Sequence, residues 1–212
     1  MLMPSIHDVF RQVSPRFRTA RMRAFQHEFG IMPSTRVLDI GGTFDNWQLL
    51  PAESLPRLTL LNLGPRPTEL ADEVSWSQGS ALELPFGPGD FDVVFSNSVI
   101  EHVGDWGAQQ QFASEVRRLN TPYWVQTPNR HFPIEPHYLG IGVQWLPRLV
   151  AKPYARVASV RGWMVEPDET LDDMLDSIRL LTAREFALLF PNADIRAERV
   201  GPFVKSFTAI RH

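Results

Sequence analysis

The sequence predicts an α/β fold in which a parallel sheet is covered on both faces by helices. After residue 35, short apolar runs alternate with longer segments that are rich in turn residues. Runs of this length are typical of buried strands, and the segments between them are long enough for crossover helices. The runs lie at residues 36–40, 58–63, 91–96 and 123–126. Their alternation with the longer segments indicates a doubly wound sheet.

Further elements are predicted at both ends of this pattern. Residues 1–30 form an N-terminal helical arm of two pieces, the second beginning at Ser14 and Pro15 and ending at Gly30. We interpret its arginines, which are Arg16, Arg18, Arg21 and Arg23, as a solvated face rather than a contact for an anionic substrate. A further helix is predicted over residues 171–181, with acidic residues gathered at its start and apolar residues at helical spacing, namely Leu171, Met174, Leu175, Ile178 and Leu181.

The C-terminal part predicts a helix followed by a hairpin. Thr182 and Glu185 have the spacing of a capping box, which opens a helix that ends near Pro191. Residues 194–200 and 203–210 predict two closing strands, joined by a turn at Gly201 and Pro202.

Composition fits one globular domain over residues 1–212. The chain is 43% hydrophobic and 21% charged, which excludes a wholly disordered chain and a coiled coil. The 21 Lys and Arg against 24 Asp and Glu give a net charge of −3, so no general attraction to nucleic acid or anionic lipid is predicted.

The lack of cysteine and of long apolar runs excludes several kinds of site and a membrane span. The chain has no cysteine, which excludes disulfides, cysteine-bound zinc, iron–sulfur clusters and a cysteine nucleophile. No run of 18 apolar residues occurs, and charged residues interrupt the N-terminal segment, so neither a membrane span nor a signal peptide is predicted. The expected location is cytoplasmic.

Ligands of an open parallel sheet bind beyond the carboxyl ends of its strands, and four motifs lie at such positions. The first is VLDIGG at residues 37–42, where two glycines allow close approach of the backbone to a ligand. The other three are ALELPF at 81–86, FDVVFSNSVIEHV at 91–103 and TPNRHFPIEPHYL at 127–139.

Together these motifs resemble the class I S-adenosylmethionine-dependent methyltransferases, especially a small-molecule branch similar to the ubiquinone and menaquinone biosynthesis methyltransferases. The resemblance covers residues 37–136 and, more loosely, 181–210. It implies a Rossmann-like sheet of seven strands, mostly parallel with an antiparallel last strand, and S-adenosylmethionine as the cofactor. Independently of the resemblance, the proline-rich segment after the last parallel strand is longer than a usual connection, so residues 128–180 are predicted to form an insertion or lid between strands 5 and 6.

The resemblance implies eight cofactor-binding positions at the strand ends, namely Asp39, Gly41, Gly42, Asn62, Ser80, Ala81, Asn97 and Ser98. Asp39, Gly41 and Gly42 would border the methionine part of the cofactor, and Asn62 would face the ribose hydroxyls. Ser80 and Ala81 would lie beside the adenine. Asn97 and Ser98 would lie beside the sulfonium. The chain departs from the family pattern at three points. The turn lacks a third glycine, Asn62 replaces the usual acidic residue, and Ser80 stands where Asp is common.

Histidines near the same strand ends are candidate general bases. An imidazole suits removal of an acceptor proton near neutral pH, and His102 and His137 are the predicted catalytic residues. A metal site is the alternative, because His131, Glu135 and His137 supply three donors within seven residues. The prolines between them favour an extended chain, so no metal is predicted.

The predicted function is methyl transfer, by in-line displacement, to an oxygen, carbon or nitrogen of a small or lipid-like molecule. The three departures keep open an alternative, in which the chain is a binding or regulatory module with weakened cofactor binding. A nicotinamide oxidoreductase is disfavoured, because the first turn lacks Gly-x-Gly-x-x-Gly and the acidic ribose residue is missing. The sequence does not specify the acceptor or the oligomeric state.

Overall fold

The computed structural model describes residues 6–135, 140–147, 149–151, 153–154 and 178–212. These residues form nine strands, namely β1 (Arg36–Ile40), β2 (Arg57–Asn62), β3 (Ser75–Gln78), β4 (Val93–Asn97), β5 (Tyr123–Pro128), β6 (Ile134–Glu135), β7 (Gly140–Ile141), β8 (Asp194–Val200) and β9 (Phe203–Arg211). The α-helices are α1 (Ile6–Phe29), α2 (Trp106–Arg118) and α3 (Ala183–Leu189). Short 3-10 helices lie at Phe44–Leu49, Ala52–Ser54, Ile100–His102 and Val143–Trp145.

Seven of the strands form one sheet in the order β3-β2-β1-β4-β5-β9-β8. Strands β1 to β5 pair in parallel, whereas β9 pairs antiparallel with both β5 and β8. The predicted seven-stranded, mostly parallel sheet with an antiparallel last strand is therefore confirmed. Strands β6 and β7 form a separate hairpin.

Each face of the sheet has its own apolar core, as a doubly wound fold requires. The core beneath α1 contains Met22, Phe25, Val37, Leu58, Leu60, Phe95 and Trp124. The core beneath α2 and α3 contains Leu38, Val94, Phe112, Val116, Val125, Phe186 and Phe207. Successive side chains of a strand point to opposite faces, which is why neighbours such as Val37 and Leu38 enter different cores.

Two of the predicted helix boundaries are confirmed and one is wrong. The capping box of Thr182 and Glu185 forms at the start of α3, and α1 ends at Phe29 before Gly30, whose φ is +57°. The helix runs through Ser14 and Pro15 without a new start. An interior proline removes one backbone hydrogen bond and crowds the preceding turn, yet α1 continues through Pro15.

The segment after β1 lacks the crossover helix for which it is long enough, whereas the proline-rich segment after β2 is largely loop, as its composition indicates. Between β1 and β2 the chain forms only 3-10 turns, and between β2 and β3 it forms no α-helix. Pro51 and Pro56 interrupt the first segment, and Pro65 and Pro67 interrupt the second. Strand β3 was not predicted, because Trp76 is its only apolar residue and it lies at the sheet edge.

The predicted helix of residues 171–181 is tested only at its end. Residues 178–180 have no regular structure, and Leu181 forms an isolated bridge with Asn129, so a helix as far as Leu181 is wrong. Residues 155–177 lie outside the described residues.

Helix α1 runs antiparallel to β8 and so reaches the carboxyl edge of the sheet. Near its end, Glu28 pairs with Arg196 at 2.6 Å. Two turns earlier, Arg21 pairs with Glu198 at 2.9 Å. Because β8 is parallel to β5 through their shared neighbour β9, residues of α1 before position 21 lie toward the ends of β4 and β5. In the described stretches, no helix is both long and apolar enough to cross a membrane.

Candidate functional site

The turn after β1 is shaped by two glycines that the surrounding residues require. Gly41 has a φ of +71°, and its backbone N–H donates to the Leu61 carbonyl at 2.8 Å. A Cβ at Gly41 would lie 2.6 Å from Val99, and one at Gly42 would lie 1.9 Å from Asp39. Larger residues are therefore excluded, and the chain backbone itself forms the surface of the turn.

The next two backbone N–H groups of this turn are available to a ligand. Among the described residues, the N–H groups of Gly42 and Thr43 donate no hydrogen bond. Successive free N–H groups at the end of a parallel strand are suited to binding a carboxylate or another anion.

Asp39 supports the turn from below. Its side chain is 1% exposed, and its Oδ2 accepts a hydrogen bond from the indole N–H of buried Trp47 at 2.8 Å. Burial raises the pKa of Asp39 to about 7, and the bond from Trp47 only partly opposes this rise. The carboxyl group therefore changes charge near neutral pH, directly beneath the glycine turn.

Asn62 lies at the end of β2, beside the same turn. Its Nδ2 donates to the Gly42 carbonyl at 3.3 Å, and its Oδ1 accepts from the backbone N–H of Leu63 at 3.1 Å. Both ends of the amide are therefore used within the chain.

The segment containing Ser80 and Ala81 follows β3 and is held by α2. The backbone N–H of Gly79 donates to the Asn62 carbonyl at 2.9 Å, which places the segment next to the end of β2. Further along, Glu115 accepts from the backbone N–H of Leu84 at 2.8 Å. Arg118 joins Glu115 and also donates to the Leu84 carbonyl at 3.0 Å.

The end of β4 carries Asn97 and Ser98, and its backbone is strained. Ser98 has a φ of 58°, which is uncommon for a residue other than glycine. Its backbone N–H donates to the Gln126 carbonyl at 3.0 Å, and its hydroxyl donates to Gln126 Oε1 at 2.9 Å. The neighbouring strand β5 thus holds the β4 end in this conformation.

Arg21 of α1 also belongs to this site, contrary to its interpretation as part of a solvated face. Its side chain is 10% exposed and donates to Asn97 Oδ1 at 2.5 Å, and it pairs with Glu198. Glu198 further contacts Lys205 at 3.5 Å. Sequence reasoning missed Arg21, Gln126 and Glu198, because their proximity depends on how α1 crosses the sheet.

The two predicted catalytic histidines remain predictions. His102 ends a 3-10 helix after β4, and it is exposed. Its neighbour Glu101 is fully buried and accepts a hydrogen bond from the Thr127 hydroxyl at 3.0 Å. His137 lies outside the described residues, as does the side chain of Glu135, so the alternative metal set is not tested. Within the described part of the chain, no group of three or more His, Asp or Glu could hold a metal ion.

The described residues thus bring six of the eight predicted cofactor positions to the carboxyl ends of β1, β2 and β4. These are Asp39, Gly41, Gly42, Asn62, Asn97 and Ser98. Ser80 and Ala81 follow β3, joined to this edge through Gly79. A cleft of about 370 Å³ lies elsewhere, at the amino ends of β1 and β2, and is lined in part by Arg36, Arg57 and Asp90.

Comparison with known proteins shows similarity to methyltransferases. Residues 38–122 match the family described as "Methyltransferase domain". A segment of 53 residues is 45% identical to a probable chloroplastic tocopherol O-methyltransferase from Oryza sativa subsp. japonica. That segment is 25% of this chain and 14% of the rice protein, so the chain spans only a small part of that relative.

Two solved structures share the fold over nearly the whole chain. Magnesium protoporphyrin IX methyltransferase from Synechocystis PCC 6803, with bound S-adenosylhomocysteine, covers 100% of this chain and 90% of its own, with a TM-score of 0.56 and 9% identity. The 1,6-didemethyltoxoflavin-N1-methyltransferase from Burkholderia thailandensis covers 97% and 81%, with a TM-score of 0.54 and 16% identity. At these identities the likeness shows the fold, and the ubiquinone and menaquinone branch stays a prediction.

Proposed function

We propose that this chain transfers the methyl group of S-adenosylmethionine to a small or lipid-like acceptor. The observation that carries the proposal is the glycine turn after β1. Its free N–H groups at Gly42 and Thr43 lie beside the ends of β2 and β4, at one edge of the sheet. The match to methyltransferase domains over residues 38–122 and the similarity to the probable tocopherol O-methyltransferase of rice support it.

The residues present fit the amino-acid part of this cofactor. Its carboxylate can accept from the N–H groups of Gly42 and Thr43, since both lack other acceptors among the described residues. Its ammonium group carries a positive charge, which favours the ionised form of Asp39 beneath the turn. Ser80 and Ala81 would border the adenine, as expected from the resemblance.

When bound, S-adenosylmethionine supplies a methyl group on a cationic sulfonium. The chain then has to align donor and acceptor and exclude water, because the displacement is in-line. Asn97 and Ser98 would lie next to the reacting atoms, and the contacts from Ser98 to Gln126 fix this strand end. His102 would act as the base where the acceptor has a proton to lose, with His137 as the second candidate. The cytoplasmic location expected from the sequence is part of this proposal.

A non-catalytic binding or regulatory module is the second candidate, and the contacts of Asn62 favour it. Both ends of this amide are engaged within the chain, whereas a ribose diol is best bound by a free carboxylate. Each end of the amide keeps only one further hydrogen-bonding position, and both positions are uncharged, so Asn62 would bind a ribose diol more weakly than a free carboxylate.

Calorimetric titration with S-adenosylmethionine and S-adenosylhomocysteine tests the proposal, with NAD and zinc as controls. We expect both adenosyl ligands to bind with micromolar affinity and the controls not to bind. A mass-spectrometric screen with S-adenosylmethionine should then detect an acceptor that gains one methyl group while S-adenosylhomocysteine forms. A folded protein that binds neither adenosyl ligand at millimolar concentration would favour the module. Binding without transfer to any acceptor tested would leave the module as the better description.

A further inference from the structure

We infer that Arg21 is a positioning residue that sets the acceptor class, and that the acceptor presents an anionic oxygen, either a carboxylate or a phenolate. The inference rests on the proposed methyl transfer and adds to it a preference for one type of nucleophile. It is carried by the contacts of Arg21 with two amide side chains at the ends of neighbouring strands.

The two amides lie side by side. Asn97 and Gln126 are register partners of the parallel pair β4 and β5, so their side chains point to the same face, which is the face covered by α1. Arg21 donates to Asn97 Oδ1 at 2.5 Å and to Gln126 Oε1 at 3.4 Å. The Ser98 hydroxyl also donates to Gln126 Oε1, at 2.9 Å.

These contacts determine which end of each amide is available. A guanidinium can only donate hydrogen bonds, so the oxygen of each amide must face Arg21. Both NH2 groups are consequently the ends left for a ligand. Among the described residues, neither Asn97 Nδ2 nor Gln126 Nε2 has an acceptor. Gln126 is only 2% exposed, so a hydrogen bond from its Nε2 to a ligand would be shielded from water and thereby strengthened.

The charges around these amides also favour an anion. Arg21 and Lys205 are two cations beside a single carboxylate, Glu198, which is further satisfied by the Ser206 hydroxyl at 2.8 Å. The cluster formed by these residues therefore has a net charge of +1. An amine or ammonium acceptor would meet only N–H donors and a positive charge, whereas an anionic oxygen can accept from both NH2 groups.

The reaction balances with such an acceptor. The acceptor loses its proton before the transfer, a carboxylic acid to solvent and a phenol to solvent or to the proposed base His102. A lone pair of its oxygen then forms the new oxygen–carbon bond, while the sulfur–carbon bond breaks and its electron pair stays on sulfur. The products are a methyl ether or methyl ester and S-adenosylhomocysteine. Asn97 and Gln126 orient the oxygen and take no proton.

The test uses the full chain and three probes of similar size, namely benzoate, 4-nitrophenolate and benzylamine. Affinity for S-adenosylhomocysteine is measured first, and the probes are then titrated by NMR with and without this ligand at pH 8. We expect at least one of the two anions to bind about tenfold or more tightly than benzylamine. The anion that binds more tightly distinguishes a carboxylate from a phenolate acceptor. Benzylamine binding equal to that of both anions would overturn the inference.

Two variants separate positioning from general support of the fold. Arg21→Gln should reduce anion binding about tenfold while S-adenosylhomocysteine affinity stays within about twofold. Arg23→Gln removes the same charge from an exposed position of α1 and should change neither. Gln126→Glu keeps an acceptor for Arg21 but replaces the NH2 group with a charged oxygen, so it should reverse the preference toward benzylamine.

The outcomes also separate this inference from the proposed function. Equal effects of Arg21→Gln and Arg23→Gln, or an unchanged preference in Gln126→Glu, would overturn the role of Arg21 while cofactor binding stood. Loss of S-adenosylhomocysteine binding in the unmodified chain would instead contradict the proposed function.

Discussion

The carboxyl group of Asp39 occupies the space that a side chain at Gly42 would need. A Cβ on Gly42 would lie 1.9 Å from Oδ2 of Asp39, which is itself held by Trp47 at 2.8 Å. A packed carboxyl group thus fixes the path of the turn that carries the two free N–H groups.

Replacement of Gly42 by alanine should therefore disrupt both the fold and the site. The carboxyl group is buried and hydrogen-bonded to Trp47, and it would have to shift to admit a Cβ, so we expect Gly42→Ala to lower the free energy of unfolding by about 2–4 kcal/mol. S-adenosylhomocysteine binding should be lost together with the turn. Urea unfolding and calorimetry measure the two effects. Gly64→Ala is the control, since a Cβ there meets nothing within 4 Å. Equal stability of the two variants would contradict the steric role of Asp39.

Asp39 should make the stability of the protein depend on pH near neutrality. Its pKa is raised from 3.8 to about 7 by burial, so between these values the folded state binds more protons than the unfolded state. The stabilisation is fully present below pH 3.8 and is lost as pH rises through about 7. Asp39→Asn removes this titration and keeps an acceptor for Trp47. At pH 8 the variant should be more stable than the wild type, by on the order of 3 kcal/mol.

Urea unfolding of both proteins at pH 5 and pH 8 measures this dependence. The stability of the wild type should fall relative to that of Asp39→Asn as pH rises. The same dependence in both proteins would show that Asp39 ionises freely in the folded state. S-adenosylmethionine should reduce the difference at pH 8, because its ammonium group favours the ionised carboxyl group.

The strand pattern and the strand ends could be predicted from the sequence because they depend on local features. Apolar runs identified β1, β2, β4 and β5, and the glycines after β1 marked the turn. The contact between Arg21 and Asn97 spans 76 positions and depends on the path of α1 over the sheet. No local pattern distinguishes Arg21 from the exposed Arg18 and Arg23. Long-range placement of a helix, rather than residue type, decided which arginine entered the site.

If the ribose binds at the end of β2, replacement of Asn62 by aspartate should increase the affinity for S-adenosylhomocysteine. A carboxylate can accept from both hydroxyls of a diol, and hydrogen bonds to charged groups contribute roughly 1.5–3 kcal/mol each. We expect Asn62→Asp to bind S-adenosylhomocysteine about tenfold more tightly, after the loss of the bond to the Gly42 carbonyl is included. Calorimetry measures the change, and a ligand without ribose hydroxyls should gain nothing. Unchanged affinity for S-adenosylhomocysteine would place the ribose away from the end of β2.

Glu115 should stabilise the segment that would border the adenine, although it lies on α2. It accepts from the Leu84 N–H at 2.8 Å and pairs with Arg118, which holds the pKa of Glu115 below its ordinary value of 4.5. We expect Glu115→Gln to lower the free energy of unfolding by about 1–3 kcal/mol at pH 7 and to weaken S-adenosylhomocysteine binding. The exposed Glu83→Gln is the control and should change neither.

The effect of Glu115→Gln should disappear in acid. Because the folded-state pKa of Glu115 is lowered, its stabilisation is present above about pH 4.5 and is lost as pH falls through the folded-state value. Urea unfolding of wild type and variant at pH 7 and pH 3.5 should give a difference that shrinks at the lower pH. A difference that is the same at both pH values would mean that the charge of Glu115 does not support the segment, and that shape and hydrogen bonding alone hold Leu84 in place.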